Sequence, residues 1–183
     1  MVPNPPSFLS HKSLGNRLAM KYDALPASVK PGVVTGQALN DLFDYAKEKE
    51  FAIPGVNIVS SNGINACLEA AQSYQGPIIV TFSRGGGQFM AGNSAQNIDN
   101  AASIAGCIAG AKHVREVAKL YNIPVVLHTD HCQKGALGWI DGLMVANEEH
   151  FKLHGEPLFS SHMIDLSEES LIDNVDICKS YLT

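Results

Sequence analysis

Four short apolar runs, each followed by a stretch of helical period, constrain this chain more than any other feature. They lie at 51–59, 78–82, 124–132 and 157–165. Their apolar residues are continuous rather than alternating, which suits strands buried on both faces. The intervening stretches carry apolar residues at helical spacing, such as Cys67, Leu68 and Ala71 over 64–74. Alternation of this kind implies a parallel sheet with right-handed crossovers. The expected class is therefore α/β.

A leading helix is expected over 37–49, with Thr35 as its N-cap and Leu39, Leu42, Phe43 and Ala46 on one face. Further helices are expected over 64–74, 101–120 and 136–153, and a last one capped by Ser167. Glu168 and Glu169 suit the positive end of that last helix. From 84 to 100 no period is sustained, and a long functional connection is expected there. Its glycines, Gly85, Gly86 and Gly87, continue into neither a dinucleotide fingerprint nor a phosphate loop. Both nucleotide readings are rejected.

Composition narrows the function classes. A length of 183 residues suggests one domain with a real core. The formal charge is −5, with no long basic run, so no nucleic-acid or anionic-lipid partner is expected. No apolar stretch approaches membrane-spanning length. Cys67, Cys107, Cys132 and Cys178 are scattered without a close pair, which fits reduced thiols and a cytoplasmic location. Residues 1–30, rich in Pro and Ser, read as a flexible extension; a targeting role is the minority reading.

The chemistry gathers where the strands end. Asn57 closes the first, Ser83 follows the second, Asp130 and His131 close the third, and Asp165 closes the fourth. Side chains at the carboxyl ends of successive parallel strands converge on one cleft. An imidazole there can hold zinc, and a neighbouring carboxylate can carry a proton. Taken singly, Asn57 and Ser83 read more simply as backbone-satisfying residues, and Asp165 as a helix cap. His128 reads either as a positioning residue or as a core histidine, and Cys132 as an inert buried thiol. His150 and His162 receive no role. The sequence His128-Thr129-Asp130-His131 stands apart, because three titratable groups at a buried strand end are costly unless paired or metal-bound.

The segment 121–132, ending in that cluster, resembles the first signature of the class II, metal-dependent fructose-bisphosphate aldolases. The blocks 30–36, 52–57, 82–86, 139–142 and 157–169 resemble the same family, in its bacterial and fungal branch. The resemblance runs from about Val29 to the last residue. Gly138 stands where the family pattern leads one to expect proline.

This resemblance implies a (β/α)8 TIM barrel, with residues 31–183 covering roughly its first four β-α units as a half barrel. It implies reversible cleavage of fructose 1,6-bisphosphate to dihydroxyacetone phosphate and glyceraldehyde 3-phosphate. In the family, zinc polarises the ketone and stabilises the enediolate. Position by position, His131 is implied as a zinc ligand and Asp165 as a second, peripheral metal position. Asp130 is implied as the acid/base, with Ser83 and Asn57 on the sugar-phosphate substrate. A homodimer, and possession of a monovalent cation site, are implied for the complete enzyme. A full barrel needs about 250 residues, so negligible activity is expected from this chain alone. Two alternatives stand beside this: a non-catalytic half-barrel binding or dimerisation module, and an aldolase for another ketose bisphosphate such as tagatose bisphosphate.

Overall fold

A computed structural model describes residues 25–182. In chain order the elements are β1 (Gly32–Val33), α1 (Gly36–Glu48), β2 (Gly55–Asn57), α2 (Ser61–Tyr74), β3 (Ile78–Phe82) and α3 (Arg84–Ala91). There follow α4 (Ala101–Val117), β4 (Pro124–Gln133), α5 (Leu137–His154), β5 (Ser161–Asp165) and α6 (Leu171–Leu182). All five strands are parallel and form one sheet.

The sheet is built around β4. One edge of β4 pairs with β3, from Ile78↔Val125 to Phe82↔Thr129, and β2 lies beyond β3. The other edge is shared end to end: β1 takes Pro124 and Val125, and β5 takes over from His128. Ser160 fastens that junction. Its hydroxyl donates to the Val34 carbonyl at 2.7 Å and accepts from the Leu127 amide at 2.9 Å.

Alternation along β4 splits the core into two layers. Val125 and Leu127 join Ile64, Leu68, Val114, Trp139 and Leu143 in the larger cluster, beneath α2, α4 and α5. Val126 points to the opposite face and packs with Val29, Val34, Leu39 and Leu42, so α1 covers that face. Each fully buried side chain of this size contributes roughly 1.5–3 kcal/mol, and burial on both faces explains the continuous apolar runs. Of the extension expected over 1–30, residues 1–24 lie outside the described residues. Val29 is buried in the smaller cluster.

Several local expectations are corrected. The expected strands 51–59 and 157–165 shorten to β2, which begins directly after Pro54, and to β5. The two-residue β1, not among the four expected strands, is a strand of the sheet. The expected long connection at 84–100 contains α3, whose first turn Ser83 caps by accepting from the Gly86 amide at 3.0 Å. Three glycines disfavour a helix in isolation; here tertiary packing overrides propensity. A Cβ at Gly87 would sit 2.4 Å from the Ser103 carbonyl oxygen, so only glycine lets α3 lie this close to α4. Finally, Ser167 does not cap the last helix. Ser170 does, accepting from the Asp173 amide at 3.1 Å.

Candidate active site

The face of the sheet covered by α1 carries the polar strand ends. His128 and Asp130 follow Val126 at two-residue intervals and share its side of β4. Asn57, at the end of β2, reaches across β3 and donates through Nδ2 to Asp130 Oδ2 at 2.8 Å. Asp130 Oδ1 is buried and has no donor within the described residues. An acceptor left open in this way costs about 1–3 kcal/mol, and a hydroxyl presented at the strand ends would relieve it.

His131 breaks the strand geometry. Between Thr129 and Cys132 the register with β5 shifts: three steps on β4 match two from His162 to Ile164. The extra residue forms a β-bulge, and His131 adopts φ +48°, in the left-handed region. For a residue with a Cβ that conformation costs roughly 1–2 kcal/mol. Other non-glycine residues with positive φ, such as Gln75 and Asn122, close helical segments, whereas His131 lies inside a strand. Strain of this kind collects at functional sites. The bulge turns the imidazole outward, so that its side chain is 66% exposed beside Asp165.

The His131–Asp165 pair fixes the ring. Nδ1 donates to Asp165 Oδ2 at 2.9 Å, while Asp165 Oδ1 accepts from the amide and hydroxyl of Ser167. These hydrogen bonds, His131's foremost, hold the Asp165 carboxyl down to about 2, and the same bond raises the His131 imidazole above its ordinary value. With Nδ1 committed to a carboxylate, Nε2 carries the lone pair of the neutral ring, the arrangement in which metal-binding histidines are held.

The sequence-derived residues fall into two pairs, Asn57–Asp130 and His131–Asp165, on adjacent positions of one bulge. Ser83 is not joined to either by a hydrogen bond; its hydroxyl is engaged at the N-terminus of α3. Cys132 is buried, and burial pushes its thiol up to about 11, consistent with inert packing. His128 bonds Ser161 through Nδ1 at 2.8 Å, and burial lowers its titration.

Sequence reasoning missed the support beneath β5. His162 lies between Thr129 Oγ1, at 2.7 Å from Nδ1, and Asn147 Nδ2, at 2.8 Å from Nε2. Asn147 Oδ1 accepts from the Phe159 amide, which orients its NH2 toward the ring. Nε2 of His162 therefore accepts and Nδ1–H donates to Thr129. Burial, and then the neighbouring His128, push this imidazole down to about 4, so it stays neutral. The available signal was a histidine one residue after Ser161 in an otherwise apolar strand, on the face opposite to Asp165.

Among the described residues no group of three or more His, Cys, Asp or Glu side chains is placed to hold a metal ion. A tightly held zinc takes three or four protein ligands. His131 is suited to be one of them, and the described residues do not close such a site by themselves.

Residues 37–183 match the family model described as fructose-bisphosphate aldolase class-II. The chain belongs to the class II fructose-bisphosphate aldolase family. The fructose-bisphosphate aldolase class 2 of Escherichia coli K12 is 54% identical over 155 residues, covering 84% of this chain and 43% of that protein. The fructose-bisphosphate aldolase of Candida albicans is 53% identical over 152 residues, covering 83% and 42%. A crystal structure of the Campylobacter jejuni fructose-bisphosphate aldolase superposes with a TM-score of 0.80 at 52% identity, covering 84% of this chain and 44% of that one. The chain thus spans less than half the length of these aldolases. Its sheet and helices match half of the aldolase TIM barrel.

Proposed function

We propose that residues 31–183 are the amino-terminal half of a fructose-bisphosphate aldolase, contributing the proton carrier and one metal ligand to its site. The reaction is the reversible cleavage of fructose 1,6-bisphosphate to dihydroxyacetone phosphate and glyceraldehyde 3-phosphate. The observation that carries this reading is the pairing at β4: a carboxylate with one oxygen held by Asn57 and the other buried without a donor among the described residues, next to an imidazole oriented by Asp165. More than half identity to bacterial and fungal aldolases supports it.

In the cleavage direction Asp130 takes the proton of the C4 hydroxyl as the C3–C4 bond breaks. The C4 oxygen becomes the aldehyde carbonyl, and the bonding pair passes to the three-carbon ketone fragment. In condensation Asp130 returns the proton to the new hydroxyl. Asn57 holds Oδ2, so that the lone pairs of Oδ1 serve the transfer, and it also contacts the substrate. Ser83, at the N-terminus of α3, contributes a phosphate contact where amide groups and the helix dipole favour an anion. His131 would hold the zinc through Nε2, with Asp165 keeping the ring in place and lining a peripheral metal position. When bound, zinc supplies electrophilic polarisation of the substrate ketone. The remaining ligands, a monovalent cation site and the homodimer belong to the complete enzyme, which we place in the cytoplasm. No helix among the described residues is long and apolar enough to cross a membrane.

The test uses a full-length enzyme carrying this segment. Asp130→Ala should lower cleavage by a hundredfold or more, in the range of general acid–base losses, with metal content unchanged. His131→Ala should lose metal. Normal turnover in both variants would overturn the assignment. This chain alone should show negligible cleavage, with or without added zinc.

A further inference from the structure

Thr129 and His162 form the last regular pair of β4 and β5 before the bulge, and their side chains are hydrogen-bonded at 2.7 Å. We propose that this pair is a positioning element for the reaction site: it fixes the register of β5 against β4, so that the extra residue is taken up at 130–131 and His131 turns toward Asp165. Its importance for the reaction rests on the aldolase reading of Asp130 and His131.

The faces of β4 show what the bulge does. Val125, Leu127 and Thr129 alternate onto the side that carries the larger core cluster. Strict alternation would send His131 there next. Cys132 takes that place instead, buried in the same cluster as Trp139 and Ile140. In an unbroken register Ile164 would stand opposite His131, and Asp165 opposite Cys132. With the bulge they stand opposite Cys132 and Gln133. A one-residue slip thus decides whether the imidazole enters apolar packing or reaches Asp165.

His162 is suited to hold that register because neither ring nitrogen is spare. Nδ1–H donates to Thr129 Oγ1, and Nε2 accepts from Asn147 Nδ2 at 2.8 Å. Asn147, on α5, is itself fixed by the Phe159 amide, which donates to its Oδ1 at 2.9 Å. One residue earlier, on the other face of the sheet, His128 Nδ1 and Ser161 Oγ lie 2.8 Å apart. A slip of one residue moves His162 off Thr129 and breaks both cross-strand bonds. The Thr129 hydroxyl, which is fully buried, then loses this partner away from water. An aliphatic pair at the same two positions would pack without choosing a register.

NMR of the chain gives the readout: the His131 Cα and Hα shifts report its left-handed backbone, and a nuclear Overhauser contact reports its approach to Asp165. Thr129→Val should lose both signatures while the resonances of β2 stay in place. Thr129→Ser, which keeps the hydroxyl, should retain them. Should the valine variant not fold, Thr129→Val combined with His162→Phe replaces both partners by apolar groups of similar size, and the same two losses are expected. Leu68→Ala opens a cavity under α2 and should lower the thermal midpoint without moving His131. In a full-length enzyme carrying this segment, Thr129→Val should bind zinc about tenfold or more weakly, as when the outer support of a metal ligand is lost. Retention of the His131–Asp165 contact in the folded valine or double variant, or its equal loss in Leu68→Ala, would overturn the proposal. Metal retained by His131→Ala would instead overturn the aldolase reading, whatever the register does.

Discussion

Gly106 of α4 sits against the carbonyl of Gly87 in α3, so close that a methyl group built on Gly106 would lie 1.8 Å from that oxygen. This contact joins the helix that Ser83 caps to the helix that packs on β3 and β4. The position of Ser83 at the strand ends thus depends on two residues without side chains.

Gly106→Ala should therefore destabilise by about 3 kcal/mol or prevent folding, since backbone on both sides leaves no rotamer to relieve the overlap. Gly85→Ala is the contrasting change: nothing lies within 4 Å of its added methyl. It should stabilise by about 0.5 kcal/mol through helix propensity. Urea midpoints of the two variants should move in opposite directions.

The bond between Asn57 and Asp130 should appear as a coupling between two strands that do not touch. A double-mutant cycle with Asn57→Ala and Asp130→Ala should give a coupling of about 1 kcal/mol in urea unfolding, as expected for a partly exposed charge-assisted hydrogen bond. Additive losses would mean that the two side chains are ordered independently.

Much of this arrangement was legible, and what was hidden has physical reasons. β3 and β4 announce themselves because both faces of each are buried, so apolar residues run without a break. The ends of β2 and β4 then bring Asn57 and Asp130 to one rim by parallel pairing through β3. By contrast, β1 contains two residues, too few for any period. α3 was obscured by Gly85, Gly86 and Gly87, whose value is close approach and not propensity; the complementary signal was Gly106 and Gly110, four apart on α4. The bulge at His131 left no trace in the sequence, because histidine gives no sign that a left-handed φ is required. Its partner Asp165 was placed at the same rim, but the hydrogen bond between them depends on that unforeseen turn of the chain.

Stability should also depend on pH through His162. Its folded value, about 4, lies below the ordinary 6.5 because burial disfavours the charged ring. Between these limits the unfolded chain binds more protons, so stability rises with pH across the window. The contribution is complete above 6.5 and is lost as pH falls toward 4. In His162→Gln this dependence should vanish. The stability gap between parent and variant should narrow by about 2 kcal/mol when urea unfolding at pH 4.5 replaces unfolding at pH 6.5.

His131 combines an exposed functional ring with a backbone that favours glycine, and the two demands can be separated. His131→Ala and His131→Gly both remove the imidazole and its bond to Asp165. Only glycine also relieves the strain of φ +48°. The glycine variant should therefore be the more stable of the two by about 1 kcal/mol, even after its greater unfolded-state entropy opposes the gain. Both should lose metal equally in a full-length enzyme carrying this segment. Equal stability of the two would mean that the bulge relaxes once the ring is gone, and that the Asp165 bond, rather than β4 itself, holds His131 in the left-handed conformation.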